Sequence, residues 1–204
     1  DLPGCGRSQE PQHPWHVQEY MQFVVDFMDA LGVKKWTTIA HSFGGRITFK
    51  LEARYPKKTE ALILIAVAGI KHKKSIKVLI GNGLAKAGKA IFSLPVLNKL
   101  EPISRKILYK GLREKDYIST TGVMKETFKN VIEEYLKRYI PGIKKPTIVI
   151  WGTEDSYVPL SDGYYIHEHI PGSVIEVIHG AGHGIHKKMP KRLYQIVMHF
   201  INHK

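Results

Sequence analysis

The sequence predicts an α/β protein built on a doubly wound parallel sheet of about four strands. Short apolar segments rich in Val and Ile alternate with amphipathic helical segments along the 204 residues, which is typical of a parallel sheet with helices on both faces. Apolar residues make up 43% of the chain and aromatic residues 10%, enough to build a core, which excludes a disordered chain. Right-handed crossovers would bring the carboxyl ends of the strands to one edge, where ligands bind in such folds.

The first 70 residues contain two helix and strand pairs. Apolar side chains recur at helical spacing until Gly32, and Pro56 ends the second helix. The second strand is apolar at every position, as expected for a parallel strand covered on both faces. The predicted order is helix, strand, helix, strand, over residues 16–31, 36–40, 44–55 and 61–67.

The second half of the chain adds a helical insertion and two further strands. Residues 71–140 have helical periodicity, with breaks at Gly81-Asn82-Gly83, Pro95 and Pro102, and contain no convincing strand. Pro190 opens the last helix, because proline is favoured in a first helical turn. The predicted elements between them are a strand at 146–151, a helical segment at 161–169 and a strand at 174–178.

The chain is strongly basic, and most of its net positive charge lies in one segment. Lys and Arg number 31 against 18 Asp and Glu, a net charge of +13, and residues 71–140 hold 16 of the basic and 6 of the acidic residues. A basic segment attracts lipid headgroups, acidic carrier proteins or nucleic acid, although solvated Lys-rich helix faces are common without a partner. With no zinc pattern and no sheet of aromatic stacking residues, we predict no specific nucleic-acid partner.

Several classes of protein are excluded by what the sequence lacks. The longest apolar run, 61–70, has ten residues against the roughly 20 that span a bilayer, so we predict no transmembrane segment. Cys5 has no second cysteine to pair with, which favours a reducing compartment and a cytoplasmic protein. No nucleotide-binding glycine loop follows a strand, and His167 and His169 are two residues apart on a helix. We therefore predict neither a cofactor nor a metal.

A serine with the setting of a nucleophile lies between the first strand and its helix. Ser42 stands in the segment Ala40-His41-Ser42-Phe43-Gly44-Gly45. A sharp turn there would lift its hydroxyl above the sheet edge, and such a turn needs small residues two before and two after the serine, which Ala40 and Gly44 supply. Its neighbours His41 and Arg46 are expected to pack or cap rather than react.

Two later strands provide a carboxylate and an imidazole at the same edge. Asp155 follows the third strand, and His183 lies after the fourth strand in a loop flanked by glycines. A serine hydroxyl needs a base, and the base needs an orienting carboxylate. The order Ser, Asp, His is that of α/β-hydrolases. The alternatives are Glu154 and Asp162 for the acid, of which Asp162 is expected to cap a helix, and His179 and His186 for the base, both expected in loops or on the surface.

The whole chain resembles a serine α/β-hydrolase of the carboxylesterase-like kind. Four segments are similar to motifs of that superfamily: its Asp-Leu-Pro-Gly loop, its nucleophile elbow, its acid loop and its histidine loop, at 1–8, 40–45, 152–159 and 180–183. The resemblance implies that Ser42 is the nucleophile, His183 the general base and then acid, and Asp155 its orienting carboxylate. It also implies that the Phe43 backbone N–H donates to the oxyanion.

The resemblance further implies a domain organisation. Residues 1–70 and 141–204 would form the two parts of a hydrolase core, with 71–140 as a helical cap over the pocket. Superfamily members have strands before the Asp-Leu-Pro-Gly loop, including the loop that supplies the second oxyanion donor. We therefore expect this chain to be an N-terminally truncated form with an unpaired edge at its first strand. On that view the intact protein is active and the chain as it stands is weak or inactive.

The function that follows is hydrolysis of a carboxylic ester, or of a related acyl or C–C bond, through an acyl-enzyme. Serine at position 42 argues against the dehalogenases and epoxide hydrolases of the superfamily, which use aspartate there. Residues 122–128 and the start of the third strand are similar to carboxylesterases and C–C bond hydrolases alike, so both remain open. The expected substrate is a small ester or acyl compound, anionic or carrier-bound. The alternative is a non-catalytic binding protein whose basic cap docks an acidic partner.

Overall fold

The computed structural model describes residues 1–70 and 122–204. They form a four-stranded parallel sheet in the order β1-β2-β3-β4, which confirms the predicted fold. The strands are β1 Trp36–His41, β2 Thr59–Ile65, β3 Thr147–Gly152 and β4 Val174–Ile178. The helices are α1 Val17–Ala30, α2 Phe43–Arg54, α3 Gly122–Glu133, α4 Leu160–His169, α5 Ile185–Lys188 and α6 Pro190–His203, with 3₁₀ turns at Pro56–Lys58 and Lys137–Gly142. The predicted breaks at 81–83, Pro95 and Pro102 lie outside the described residues.

The sheet is covered on both faces. On β2, Leu62 and Leu64 face a core formed with α1, α2 and α4, whereas Ile63 and Ile65 face a core formed with α5 and α6. This alternation explains why residues 61–65 of the strand are all apolar, since successive side chains point to opposite faces. Within the described residues β1 pairs with β2 alone, so the expected unpaired edge is present there.

The strand register places the carboxyl ends of β1 to β4 side by side. His41 pairs with Ile65 at the end of β1 and β2, and Gly152 pairs with Ile178 at the end of β3 and β4. The loops that follow these residues therefore meet at one edge of the sheet.

β2 ends two residues earlier than the sequence predicts. Ala66 has φ +45°, which is left-handed and takes the chain out of the strand. The turn brings Val67 against α2, where a Cβ on Gly45 would lie 2.3 Å from the Val67 Cβ. Glycine at position 45 is therefore required for α2 to approach the sheet. Periodicity alone does not reveal this, because Ala66 and Val67 are as apolar as the strand they follow.

The described part of the predicted insertion is attached to the core. The Arg46 guanidinium of α2 donates hydrogen bonds to the carbonyl oxygens of Val131 (2.9 Å) and Glu134 (3.4 Å) at the end of α3. Lys50 forms an ion pair with the Glu134 carboxylate. Cations are favourable at a helix C-terminus, where carbonyl groups have no partner in the helix. Arg46 thus caps α3, in line with the expectation that it packs or caps.

None of the helices formed by residues 1–70 and 122–204 has the length and apolar content to span a membrane. Over the same residues, no group of three His, Cys, Asp or Glu side chains is placed to hold a metal ion.

Glu52 is a buried carboxyl whose ionisation opposes folding. Its side chain on α2 accepts a hydrogen bond from the Thr59 hydroxyl. Burial raises its pKa above the ordinary 4.5, although the Thr59 hydrogen bond and the Lys145 charge act in the opposite direction. The folded state therefore holds the proton to higher pH than the unfolded state, and the stabilising contribution of Glu52 is lost as pH rises from about 4.5 through the folded pKa.

Replacing Glu52 with Gln is expected to remove this loss. Gln still accepts a hydrogen bond from Thr59 but does not ionise. The free energy of unfolding of the variant, relative to that of the unaltered protein, should therefore increase as pH rises from 4 to 7. Urea titrations at several pH values measure the difference. Glu60→Gln, on an exposed side chain of the neighbouring strand, is the control and should show no such trend. A difference between Glu52→Gln and the unaltered protein that does not change with pH would contradict the prediction.

Candidate active site

Ser42 lies in a strained turn between β1 and α2. Its backbone has φ +49° and ψ −112°, a conformation that residues other than glycine rarely adopt. Backbone hydrogen bonds hold it there: the Ser42 N–H donates to the Ile65 carbonyl (3.3 Å), and the Ser42 carbonyl accepts from Gly45 (3.1 Å) and Ala68 (2.8 Å). The predicted sharp turn is present, and both neighbouring chain segments fix it.

The alanine two residues before Ser42 fits the turn. A Cβ added to Gly44 would lie 3.5 Å from the Cβ of Ala40, an ordinary van der Waals distance. The methyl of Ala40 would therefore not clash even with a Cβ at position 44. The departure of this position from the glycine of the superfamily motif costs no close contact.

The structure brings Ser42, His183 and Asp155 into one chain of hydrogen bonds. The Ser42 Oγ lies 2.9 Å from His183 Nε2, and His183 Nδ1 lies 2.8 Å from Asp155 Oδ2. Because the carboxylate accepts, Nδ1 carries the ring proton, which leaves the lone pair of Nε2 facing the serine hydroxyl. In this arrangement Ser42 donates to His183, as a general base requires.

The Asp155 carboxylate is held by the backbone as well as by His183. Its side chain is fully buried, and Oδ1 accepts the N–H groups of Tyr157 (2.8 Å) and Val158 (2.9 Å). The indole of Trp151 donates to the Val158 carbonyl at 3.1 Å. These bonds aim the second oxygen, Oδ2, at His183 and give the buried charge its partners.

The acid loop and the histidine loop are joined to each other. The Glu154 N–H donates to the Ala181 carbonyl (2.9 Å), and the Gly180 N–H donates to the Thr153 hydroxyl (3.0 Å). A Cβ at Gly152 would lie 2.1 Å from the Ala181 carbonyl oxygen, so the two loops touch at this glycine. Contacts between the loops that follow β3 and β4 therefore set the position of Asp155 relative to His183.

Phe43 is the first residue of α2. Its N–H is one of the N-terminal groups of a helix that have no partner in the helix, at the end where negative charge is favoured. Its ring packs edge to face on Tyr20, with centroids 5.1 Å apart, and the Tyr20 hydroxyl donates to the Pro3 carbonyl at 3.1 Å. Burial, followed by the charge of Cys5, raises the pKa of Tyr20 to about 12. Tyr20 therefore remains a neutral donor that ties the first loop to the elbow.

The alternative acid and base residues lie elsewhere. Glu154 and His179 are exposed, and neither takes part in the hydrogen-bond chain of Ser42. Asp162 is buried in the first turn of α4, but the N-cap of that helix is Pro159, so the expectation that Asp162 caps it is wrong. The exposed ring of His186 lies beside that of His41, with centroids 4.4 Å apart and an angle of 60° between the ring planes.

Two residues at the site are not identified by the sequence reasoning. His41 Nε2 lies 2.9 Å from the His183 carbonyl oxygen. The exposed ring of Tyr157 lies 5.2 Å from the His183 ring. The position of His41 directly before the serine is the only sequence signal, and it does not specify which loop the ring contacts.

A groove of about 840 Å³ bounded by described residues lies at the opposite edge of the sheet, where β3 and β4 begin. It is lined by Thr147, Val174 and the α6 residues Arg192, Ile196 and Phe200, among others. Ser42 is not part of it. The hydrogen-bond chain of Ser42, rather than this groove, therefore marks the candidate site.

The fold and this geometry define an α/β-hydrolase. The family model described as serine aminopeptidase, S33, matches residues 1–188, and the chain belongs to that family. An uncharacterized protein of Mycobacterium tuberculosis is 24% identical over 225 residues, which is 99% of this chain and 66% of the relative. The chain thus spans just under two thirds of that relative's length. The 2-hydroxymuconate semialdehyde hydrolase of Pseudomonas putida is 24% identical over 216 residues, 98% of this chain and 75% of the relative.

Solved structures with the same fold cover nearly the whole chain. A hydrolase from Pseudomonas aeruginosa superposes with a TM-score of 0.71 at 20% identity, over 98% of this chain and 77% of that protein. The enol-lactonase of Burkholderia xenovorans gives a TM-score of 0.69 at 21% identity, over 99% of this chain and 79% of that protein. At these identities the structures establish the fold alone.

Proposed function

We propose that the protein is a serine hydrolase in which Ser42 is the nucleophile, His183 the general base and acid, and Asp155 the orienting carboxylate. The observation that carries the proposal is the continuous chain from Ser42 Oγ through the His183 ring to Asp155 Oδ2, with separations of 2.9 and 2.8 Å. Further support comes from the strain stored at Ser42, since such strain clusters at active sites.

The reaction would proceed in two steps. Ser42 Oγ attacks the substrate carbonyl carbon while His183 Nε2 takes the hydroxyl proton, and the oxyanion is stabilised by the Phe43 N–H at the start of α2. His183 then gives the proton to the leaving group as an acyl-serine forms. Water, deprotonated by His183, attacks the acyl group and releases the acid and the free serine. No cofactor takes part in these steps.

The proposed substrate is a small carboxylic ester or a related acyl compound. The named relatives act on different bonds, since one is a semialdehyde hydrolase and one structural neighbour an enol-lactonase. The Ser42 geometry supports attack on a substrate carbonyl carbon. Residues 71–140 would form a basic cap that favours anionic or carrier-bound substrates, with residues 1–70 and 141–204 as the core.

Substitution of Ser42 by Ala tests the proposal. We expect the full-length protein to react covalently with a fluorophosphonate and to hydrolyse p-nitrophenyl acetate and butyrate, and its Ser42→Ala variant to lose labelling and about 10⁶-fold in turnover. Mass spectrometry of labelled peptides locates the modified serine. Ser156→Ala, on an exposed serine beside Asp155, is the control and should leave both reactions unchanged. A folded full-length protein that neither labels nor turns over ester would reject the proposal and favour a binding protein.

A further inference from the structure

His41 connects the nucleophile turn to the histidine loop. It is the last residue of β1, directly before Ser42, and its Nε2 lies 2.9 Å from the backbone carbonyl oxygen of His183. A carbonyl oxygen only accepts, so Nε2 carries the proton and donates it. The bond therefore joins His41, which precedes Ser42, to the backbone of His183, whose ring faces Ser42.

Three titratable groups lie close enough to His41 to affect its pKa. The rings of His183 and His186 have centroids 4.7 and 4.4 Å from that of His41, and the Asp155 carboxylate also acts on it. Burial lowers the pKa of His41, and positive charge on His183 or His186 lowers it further. The hydrogen bond to the His183 carbonyl and the charge of Asp155 act in the opposite direction but are outweighed. His41 is consequently a neutral donor at pH 7.

We propose that His41 is a positioning residue, whose hydrogen bond fixes the His183 backbone so that the His183 ring stays between Asp155 and Ser42. The inference rests on the proposed function, because it assigns His41 a part in the same reaction. Its neutrality matters as much as its hydrogen bond. When His183 takes the serine proton it becomes a cation 4.7 Å from the His41 ring, and a second cation there would oppose that step.

Three substitutions at position 41 separate the hydrogen bond from the charge. Gln keeps a neutral N–H donor, Phe keeps a ring without a donor, and Lys keeps a donor but adds a permanent charge. The readouts are kcat and KM for p-nitrophenyl butyrate and the pH profile of kcat/KM. His186→Phe is the matched control, since the ring of His186 lies beside that of His41, with centroids 4.4 Å apart.

The three variants have different expected signatures. His41→Gln should stay within about fivefold of the unaltered protein, and His41→Phe should lower kcat by about 10- to 100-fold with little change in KM. His41→Lys should move the acid limb of the profile to lower pH by about one unit, because a nearby cation disfavours protonation of His183. The control should stay within about twofold with an unmoved acid limb. A role in folding alone would not shift that limb.

The outcomes distinguish this inference from the function on which it rests. Failure of the unaltered protein to label at Ser42 would reject both. If the unaltered protein labels and His41→Phe labels as fast, the positioning role alone is wrong. Should His41→Phe fail to fold by circular dichroism, the comparison of Gln with Lys still tests the role of neutrality, since both carry a donor and differ in charge, and a loss of more than about fivefold in kcat for His41→Gln would contradict the role of the hydrogen bond. An equal acid limb in those two would overturn the role given to neutrality.

Discussion

Asp155→Asn is expected to lower kcat for p-nitrophenyl butyrate by about 10⁴-fold while the protein stays folded. The backbone N–H groups of Tyr157 and Val158 donate to Oδ1, so the amide oxygen of Asn must take that place. Its NH₂ then faces His183 and donates to Nδ1. The ring is forced into the opposite tautomer, with a proton on Nε2, and Nε2 no longer accepts from Ser42.

A neighbouring carboxylate provides the control for this substitution. Glu154 is adjacent in sequence but exposed, so Glu154→Gln should change kcat by less than about twofold. Steady-state kinetics and thermal unfolding of both variants make the comparison. A large loss in Glu154→Gln together with near-normal turnover in Asp155→Asn would reassign the acid.

The fold, and the meeting of Ser42, Asp155 and His183 at one edge of the sheet, can be predicted from the sequence because each depends on a local pattern. β4 is predicted at its observed bounds, and α1 within one residue at each end. Ser42, Asp155 and His183 each follow a strand of a parallel sheet, and parallel strands end at one edge. Topology alone therefore predicts that these side chains meet, before any distance is known.

The features that the sequence does not predict depend on contacts between distant residues. The end of β2 is set by the left-handed Ala66 and the approach of Gly45 to Val67, which periodicity does not encode. The bond from His41 to the His183 carbonyl joins positions 142 apart in the chain. The acceptor is a backbone carbonyl, which every residue has, so the residue types at the two positions do not indicate the bond.

We expect the second large effect from substitution of Gly152, which is in tight contact with the histidine loop. Gly152 is the last residue of β3, and an added Cβ would lie 2.1 Å from the Ala181 carbonyl oxygen and 2.6 Å from its carbonyl carbon. Both are backbone atoms, and the same carbonyl accepts the Glu154 N–H at 2.9 Å. Gly152→Ala must therefore push the histidine loop away from the acid loop, at a cost of about 1–3 kcal/mol in the free energy of unfolding.

The displaced carbonyl belongs to the residue two before His183, so the substitution should also move His183 away from Asp155 and Ser42. A shift of about 1 Å lowers the rate of fluorophosphonate labelling by about 10²-fold. Gly182→Ala is the matched control in the same loop, because its Cβ would meet the Glu154 carbonyl oxygen at an ordinary 3.6 Å. Labelling rates, scaled to the folded fraction from urea titrations, separate displacement from unfolding. Equal rates in the two alanine variants would mean that the loops move apart without consequence for Ser42, and that backbone contact between β3 and β4 does not set the geometry of the site.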